Sequence, residues 1–376
     1  MTSFVVQAPV GPDGVPAAGE TPDDARGLGP GADWDAFVAA SEPGSYLQTT
    51  HWAQVKAPNG WLARSIVAPG AAGAIGAQVL IRRPRAFPWA FTYAPRGPVA
   101  SAWTPDHIEA FTASCRSSLR SGSRAAVLRI DPEIERDGPL DAGGSLRRAL
   151  RSNGWRPAPP IQPGTTRIVD LRPPEDALWS DLRRKWRQYV NRARGSGIRV
   201  VDAGGERLGE FYRVYEETAR RAGFLIRTEA AYRDVWEAFA PAGMARLLFA
   251  EDRDGRPQAT LFLLRCGPRV VEPYGGMTSA GAESRANYLL KWEAIRSSRE
   301  LGATSYDLWG LATGGIAHFK TGFGGREVRY IGAWDLVLDP FGRLAFGAGQ
   351  RTRVWLARRR HGLATDGNAA AFNPDA

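Results

Sequence analysis

"RANYLLKWEAIRSSRELGATSYDLWG", Arg285 to Gly310, decides the fold. Its first part carries apolar residues at helical spacing, Gly302 supplies a stop, and a short apolar strand with an acid at its end, Asp307, follows. An earlier stretch has the same order. "HIEAFTASCRSSLRSG", His107 to Gly122, is amphipathic with a helical period and runs into "SRAAVLRIDPE", another short apolar strand ending on an acid. Helix, glycine and strand occurring twice point to a duplicated α/β unit. Between the two copies, "PPIQPGTTRIVDLRPPEDALW" has the proline content of a crossing point and places a domain boundary near Pro163.

Composition allows this. A chain of 376 residues with 43% hydrophobic and 23% charged residues can bury two domain cores and is neither disordered nor fibrous. Cys115 and Cys266 lie far apart, and the four histidines have no ligand spacing such as HExxH, so neither a disulfide framework nor a metal site is expected. No apolar run approaches the roughly 20 residues that span a bilayer, and "MTSFVVQAPVGPDG" lacks the basic start and long apolar stretch of a signal peptide. A cytoplasmic location is expected. The net charge of +10 and a sequence pI near 10.0 favour polyanionic partners, although an arginine-rich composition alone produces part of that bias.

Residues 1–32 are rich in Gly, Pro, Ala and Asp without periodicity and read as a disordered lead. Order is expected from "DWDAFVAASEPGSYLQTTHWAQVKA", helical on both sides of a Pro-Gly turn. In "DLRRKWRQYVNRARGSGIRVV", Leu182, Trp186, Tyr189, Val190 and Ala193 share one helical face. Arg183, Arg184, Lys185, Arg187, Arg192 and Arg194 cover the other, and Gly195 or Gly197 ends the helix. Such a face is either solvated or made for phosphates. The chain has no GxxxxGK[ST] loop, no strand-borne GxGxxG and no GxSxG elbow, so chemistry through a side-chain nucleophile is not expected. "HFKTGFGG", His318 to Gly325, sets one lysine between an aromatic residue and glycines, a pattern that lets backbone approach a ligand with one cation aimed at it.

Several segments, in order, resemble the FemABX aminoacyltransferases: "YLQTTHWAQVK", "YAPRGPV", "LRIDP", "IQP", "RRKWRQYVNRARGSGIRV", "ETARRAGFLIR", "EPYGGMTS", "YDLWG" and "HFKTGFGG". They cover roughly Trp34 to Pro340. The resemblance implies two GNAT-like α/β domains. The expected boundaries are 33–163 with a return at about 333–345 for the first domain, 164–332 for the second, and 346–376 as a basic tail. After Arg227 there are no sustained heptads, so no long coiled-coil arm is expected.

The resemblance also implies a reaction: an amino acid, glycine by first expectation, moves from aminoacyl-tRNA to the stem-peptide amine of a peptidoglycan precursor, with no cofactor. Lys320 and Phe319 match the family's catalytic pair, and a lysine of ordinary pKa, about 10.4, would carry the charge that stabilises a tetrahedral oxyanion. Lys56 and Arg227 match contacts to the acceptor's diphosphate, and Tyr274 matches a further acceptor contact. Tyr232 follows Ala231, where relatives carry an aromatic, so either the loop shifts by one or that contact is lost. Ser101 stands near a position where some relatives have an acid. Arg184 and Arg187 are the tRNA candidates on the basic helix, and the tail "QRTRVWLARRRHG" is the candidate for peripheral contact with an anionic membrane beside a lipid-linked or UDP-linked acceptor. Three alternatives are a tRNA-dependent relative serving a peptide natural product, an N-acyltransferase using acyl-CoA, and a non-enzymatic RNA-binding module, which the basic helix alone would permit.

Overall fold

The computed structural model describes residues 32–70, 73–84, 88–120, 124–311 and 315–345. The lead up to residue 31, Gly122 and the basic tail from residue 346 lie outside them.

The earlier helix-strand stretch forms helix Pro105–Arg120 and strand Ala125–Ile130. Ile108, Phe111, Cys115 and Leu119, spaced three or four apart, make the buried side of the helix. The Thr104 hydroxyl caps its start by accepting the His107 N–H at 3.2 Å. The strand is buried along its whole length and runs parallel to strand Ala90–Ala94, so the helix is a crossover between parallel neighbours. The later stretch does the same: helix Ala286–Glu300 leads to strand Ser305–Asp307, parallel to the start of strand Arg269–Met277.

The chain divides into two compact units, the described residues up to Gln162 together with those from Tyr330 on, and Pro163–Arg329. In the first, the strands run in the order Leu62–Gly70, Gly73–Arg82, Ala90–Ala94, Ala125–Ile130, Ala333–Val337 and Trp155–Ala158, with Val99–Ala100 also paired to the second of these. In the second the order is Arg326–Arg329, Thr165–Asp170, Ser305–Asp307, Arg269–Met277, Pro257–Cys266, Ala245–Glu251 and Arg199–Ala203. Each unit has its own core. Phe111, Cys115, Leu128, Trp155 and Trp334 belong to the first, and Trp186, Val190, Leu263, Leu290, Trp292, Tyr306 and Phe323 to the second. Among the described residues the longest helix is Pro105–Arg120, of 16 residues, and helix Glu229–Phe239, which follows Arg227, has 11, so there is no long coiled-coil arm there.

Two irregularities in the second unit place its functional groups. The parallel pairing of Arg269–Met277 with Ser305–Asp307 stops at Val271 and Asp307. Next to that point the antiparallel ladder slips: Phe262 faces Tyr274 and Leu264 faces Val271, so Leu263 opposes both Glu272 and Pro273. This is a β-bulge, and Pro273 suits it because proline has no N–H to give to the ladder. A bulge breaks the two-residue alternation of side chains. Glu272 consequently meets helix Ala286–Glu300, whereas Tyr274 meets Tyr215 and Tyr232 of helices Leu208–Ala222 and Glu229–Phe239.

Candidate active site

The site begins with the turn that follows strand Ser305–Asp307. Trp309 and Gly310 both adopt left-handed backbone angles, φ 50° and 51°. For a tryptophan that conformation costs energy, and a neighbouring carboxylate compensates. The fully buried Asp307 accepts the Trp309 N–H at 2.8 Å and the Thr166 hydroxyl, and pairs with Arg269. The turn thus presents two backbone carbonyls in one direction. Helix Gly315–Thr321 brings Lys320 to them, and its Nζ donates to the Trp309 oxygen and, at 2.9 Å, to that of Gly310.

Two of the three ammonium protons are therefore held by the chain, which fixes the direction of the third. Lys320 is half-buried and its pKa is lowered to about 8, first by burial and then by the charge of Lys291, with Glu272 and Asp307 opposing. The ordinary value near 10.4 expected from sequence does not hold here, because an ammonium without full hydration binds its proton less well. Phe319 is partly buried, with its ring edge-on to Tyr288 at 5.0 Å and to Phe323 at 5.1 Å. It is thus part of the aromatic packing of the second unit.

The glycines of "HFKTGFGG" have a different task from the one expected. A Cβ at Gly322 would lie 2.3 Å from the Trp186 indole, one at Gly324 2.1 Å from Asp181, and one at Gly325 2.3 Å from the Ile168 carbonyl oxygen. The position a side chain would take at each of these glycines is thus filled by the protein itself.

Arg227, Tyr232 and Tyr274 come together. The Arg227 N–H donates to the Tyr232 phenol oxygen at 3.2 Å, and the Tyr232 and Tyr274 rings meet edge-on at 5.0 Å. Tyr232 is buried and its pKa is raised, chiefly by that burial, while Arg227 and Tyr274 are half-buried. Lys56 lies in the first unit on helix Thr50–Lys56, buried, with its ammonium 5.0 Å from the Trp52 ring centre. The two tRNA candidates differ. Arg184 is exposed at the start of helix Arg184–Gly195. Arg187 turns back onto the carbonyls of Ser180 at 2.7 Å and Leu182 at 3.0 Å, and so braces the end of helix Glu175–Asp181. These bonds are all made by Nη1, so Arg187 has a bracing role whether or not its other nitrogens meet a phosphate.

Sequence reasoning missed Lys291 and Glu272, a buried ion pair whose carboxylate also accepts the Tyr306 hydroxyl at 2.8 Å. One signal was available. Among 49 cationic residues only four are lysines, Lys56, Lys185, Lys291 and Lys320. In a chain where arginine does nearly all cationic work, each lysine is rare enough to single out.

Residues 30–138 match the FemAB family, and residues 180–321 match the acetyltransferase (GNAT) domain. A lipid II:glycine glycyltransferase of Staphylococcus saprophyticus is 29% identical over 222 residues, 58% of this chain and 53% of that protein. Another of that name, from Staphylococcus aureus strain MRSA252, is 30% identical over 223 residues, 58% and 52% of the two chains. The chain spans about half the length of these curated relatives. The crystal structure of FemX superposes with a TM-score of 0.75 at 22% identity, covering 83% of this chain and 97% of that one. The fold is therefore GNAT-like, and over residues 30–138 the chain is similar to the FemAB family.

Proposed function

We infer that this protein is an aminoacyltransferase that moves glycine from glycyl-tRNA to the stem-peptide amine of a lipid-linked peptidoglycan precursor. The observation that carries the reading is the Lys320 ammonium, anchored by the Trp309 and Gly310 carbonyls with one proton left to direct. Attack of the amine on the ester carbonyl forms a C–N bond and an oxyanion. Collapse re-forms the carbonyl, breaks the ester C–O bond and expels the ribose oxygen, which takes up the proton that the attacking nitrogen gives up. A fixed ammonium stabilises the oxyanion without having to reorganise, which is where most of such a catalyst's effect lies. An ester is already activated, so no side-chain nucleophile is required. The names of the curated relatives support glycine and the lipid-linked acceptor. The exposed Arg183, Arg184 and Lys185 support a nucleic-acid donor. Lys56 and Arg227 are assigned to acceptor phosphates, with Tyr274 and Tyr232 beside Arg227.

The test is transfer from labelled glycyl-tRNA to lipid II and, separately, to UDP-linked pentapeptide, with acetyl-CoA as the competing donor. Glycine on the lipid-linked peptide is the expected product. Acylation from acetyl-CoA alone would support an ordinary acyl-CoA enzyme, to which the GNAT match points, and no transfer from either donor would defeat both.

A further inference from the structure

The ion pair of Lys291 and Glu272 lies behind the Phe319–Lys320 edge and has no part in the reaction as derived so far. It is nearly sealed from solvent: Lys291 is 3% and Glu272 6% exposed. Burying two opposite charges is costly and adds little to stability compared with apolar residues of the same size. A pair kept in such a place needs a reason. Three elements converge to hold it: the bulged strand Arg269–Met277 supplies Glu272, helix Ala286–Glu300 supplies Lys291, and strand Ser305–Asp307 supplies the Tyr306 hydroxyl. The pair also reaches the candidate site directly. The Lys291 ammonium is 5.4 Å from the ring centre of Phe319 and 5.9 Å from that of Phe323. Tyr306 and Asp307 are consecutive, so the residue tied to Glu272 adjoins the one that shapes the Trp309–Gly310 turn.

We propose that Lys291, Glu272 and Tyr306 are positioning residues for the transfer, an ionic group behind the Phe319–Lys320 edge that holds the ring of Phe319 and acts on the Lys320 ammonium through its field. The proposal rests on the inferred role of Lys320. The charges acting on Lys320 are Lys291 on the long helix, Glu272 on one strand and Asp307 on the next; Arg269 pairs with Asp307, Tyr306 bonds to Glu272, Tyr288 packs against Phe319, and His318 on the Lys320 helix meets Arg183. Of these, Lys291 is the largest charge opposing protonation of Lys320, and Glu272 offsets it in part. Removing the charge at 291 therefore raises the Lys320 midpoint, because the largest charge opposing its protonation has gone.

The test uses the full chain. With only four lysines, the acetylation rate of Lys320 by acetic anhydride can be followed against pH by mass spectrometry without any substrate. In the wild type the midpoint is expected near pH 8. Lys291→Met moves it upward, and Lys291→Arg, which keeps the charge, leaves it near the wild-type value. Midpoints that are the same in folded Met and Arg variants overturn the proposal, since a purely structural role would not sort them by charge. If Lys291→Met does not fold, Tyr306→Phe carries the test, because it keeps the ring and removes only the hydroxyl. Its kcat is expected to fall about fivefold to tenfold with KM unchanged, and an unchanged kcat overturns the proposal. Midpoints that follow the charge at 291, with no transfer from glycyl-tRNA, would defeat the inferred reaction alone.

Discussion

Burial works against the charge that Lys320 is inferred to use, and the compromise between the two can be measured. Lys320→Ala is expected to lower kcat by about a hundredfold to a thousandfold with little change in KM, since an oxyanion donor acts mainly in the transition state. Because protonated Lys320 is the active form, turnover should fall as pH rises through about 8. Stability should respond in the opposite sense. The folded pKa is about 8 and the ordinary value 10.5, so between them the unfolded chain binds more protons, and unfolding free energy rises with pH across that window. Denaturant titrations at pH 8 and pH 10 should show the rise, and Lys320→Met should reduce it. Replacing Lys56 or Arg227 with Met should weaken binding of a diphosphate-bearing acceptor. Equal weakening toward a truncated acceptor without phosphates would count against both assignments. Lys320 could be picked out in sequence through the motif around it. Lys291 has no such motif, only the rarity of lysine in this chain, because inside "YLLKWEAI" a single cation reads as the solvated side of a helix. Only the strand across from it, with Glu272 in an equally apolar run, turns that position inward.

Helix Arg184–Gly195 shows why a charged face has to be read residue by residue. Its apolar side was legible, since Trp186, Val190 and Ala193 are buried as their spacing requires. Its basic side is not uniform. Arg183 and Arg184 are exposed, while Arg187 bonds to three carbonyls at the end of the preceding helix. Arg184→Glu should therefore weaken binding of tRNA and reduce the slope of log K against log salt by about one. Arg187→Ala should act mainly on stability, by about 1–2 kcal/mol, as expected for losing hydrogen bonds to a charged group. Filter binding at several salt concentrations, with thermal melts of the same variants, separates these outcomes. An Arg187 variant of full stability with a reduced salt slope would reverse the assignment. The glycines after Lys320 carry the same lesson. Their sequence shows that something comes close to the backbone, but only the fold shows that Trp186, Asp181 and Ile168 occupy that space.

For the molecule as a whole, the repeated helix-strand order was visible in sequence because each crossover helix buries a periodic face and each following strand is short and apolar. The order of strands within the sheets was not, because it depends on pairings between segments far apart in the chain. The most distant is strand Ala333–Val337, which lies between Ala125–Ile130 and Trp155–Ala158 and is hydrogen-bonded to both. This has a consequence for biosynthesis. Pro163–Arg329 is continuous and has all its strands once Arg329 has left the ribosome, whereas the sheet that begins earlier waits for a strand made later. The later segment should thus fold first, the reverse of the usual N-terminal-first order. On stalled ribosomes, chains ending shortly after residue 329 has emerged should resist protease across 163–329 while Ala125–Ile130 and Trp155–Ala158 remain cleavable, and protection of those strands should appear only when Val337 is also outside the exit tunnel. Until then, two strand edges are exposed to any neighbouring chain able to pair with them. A mutation that slows release of the last strand should therefore reduce the yield of folded protein without changing the stability of what does fold.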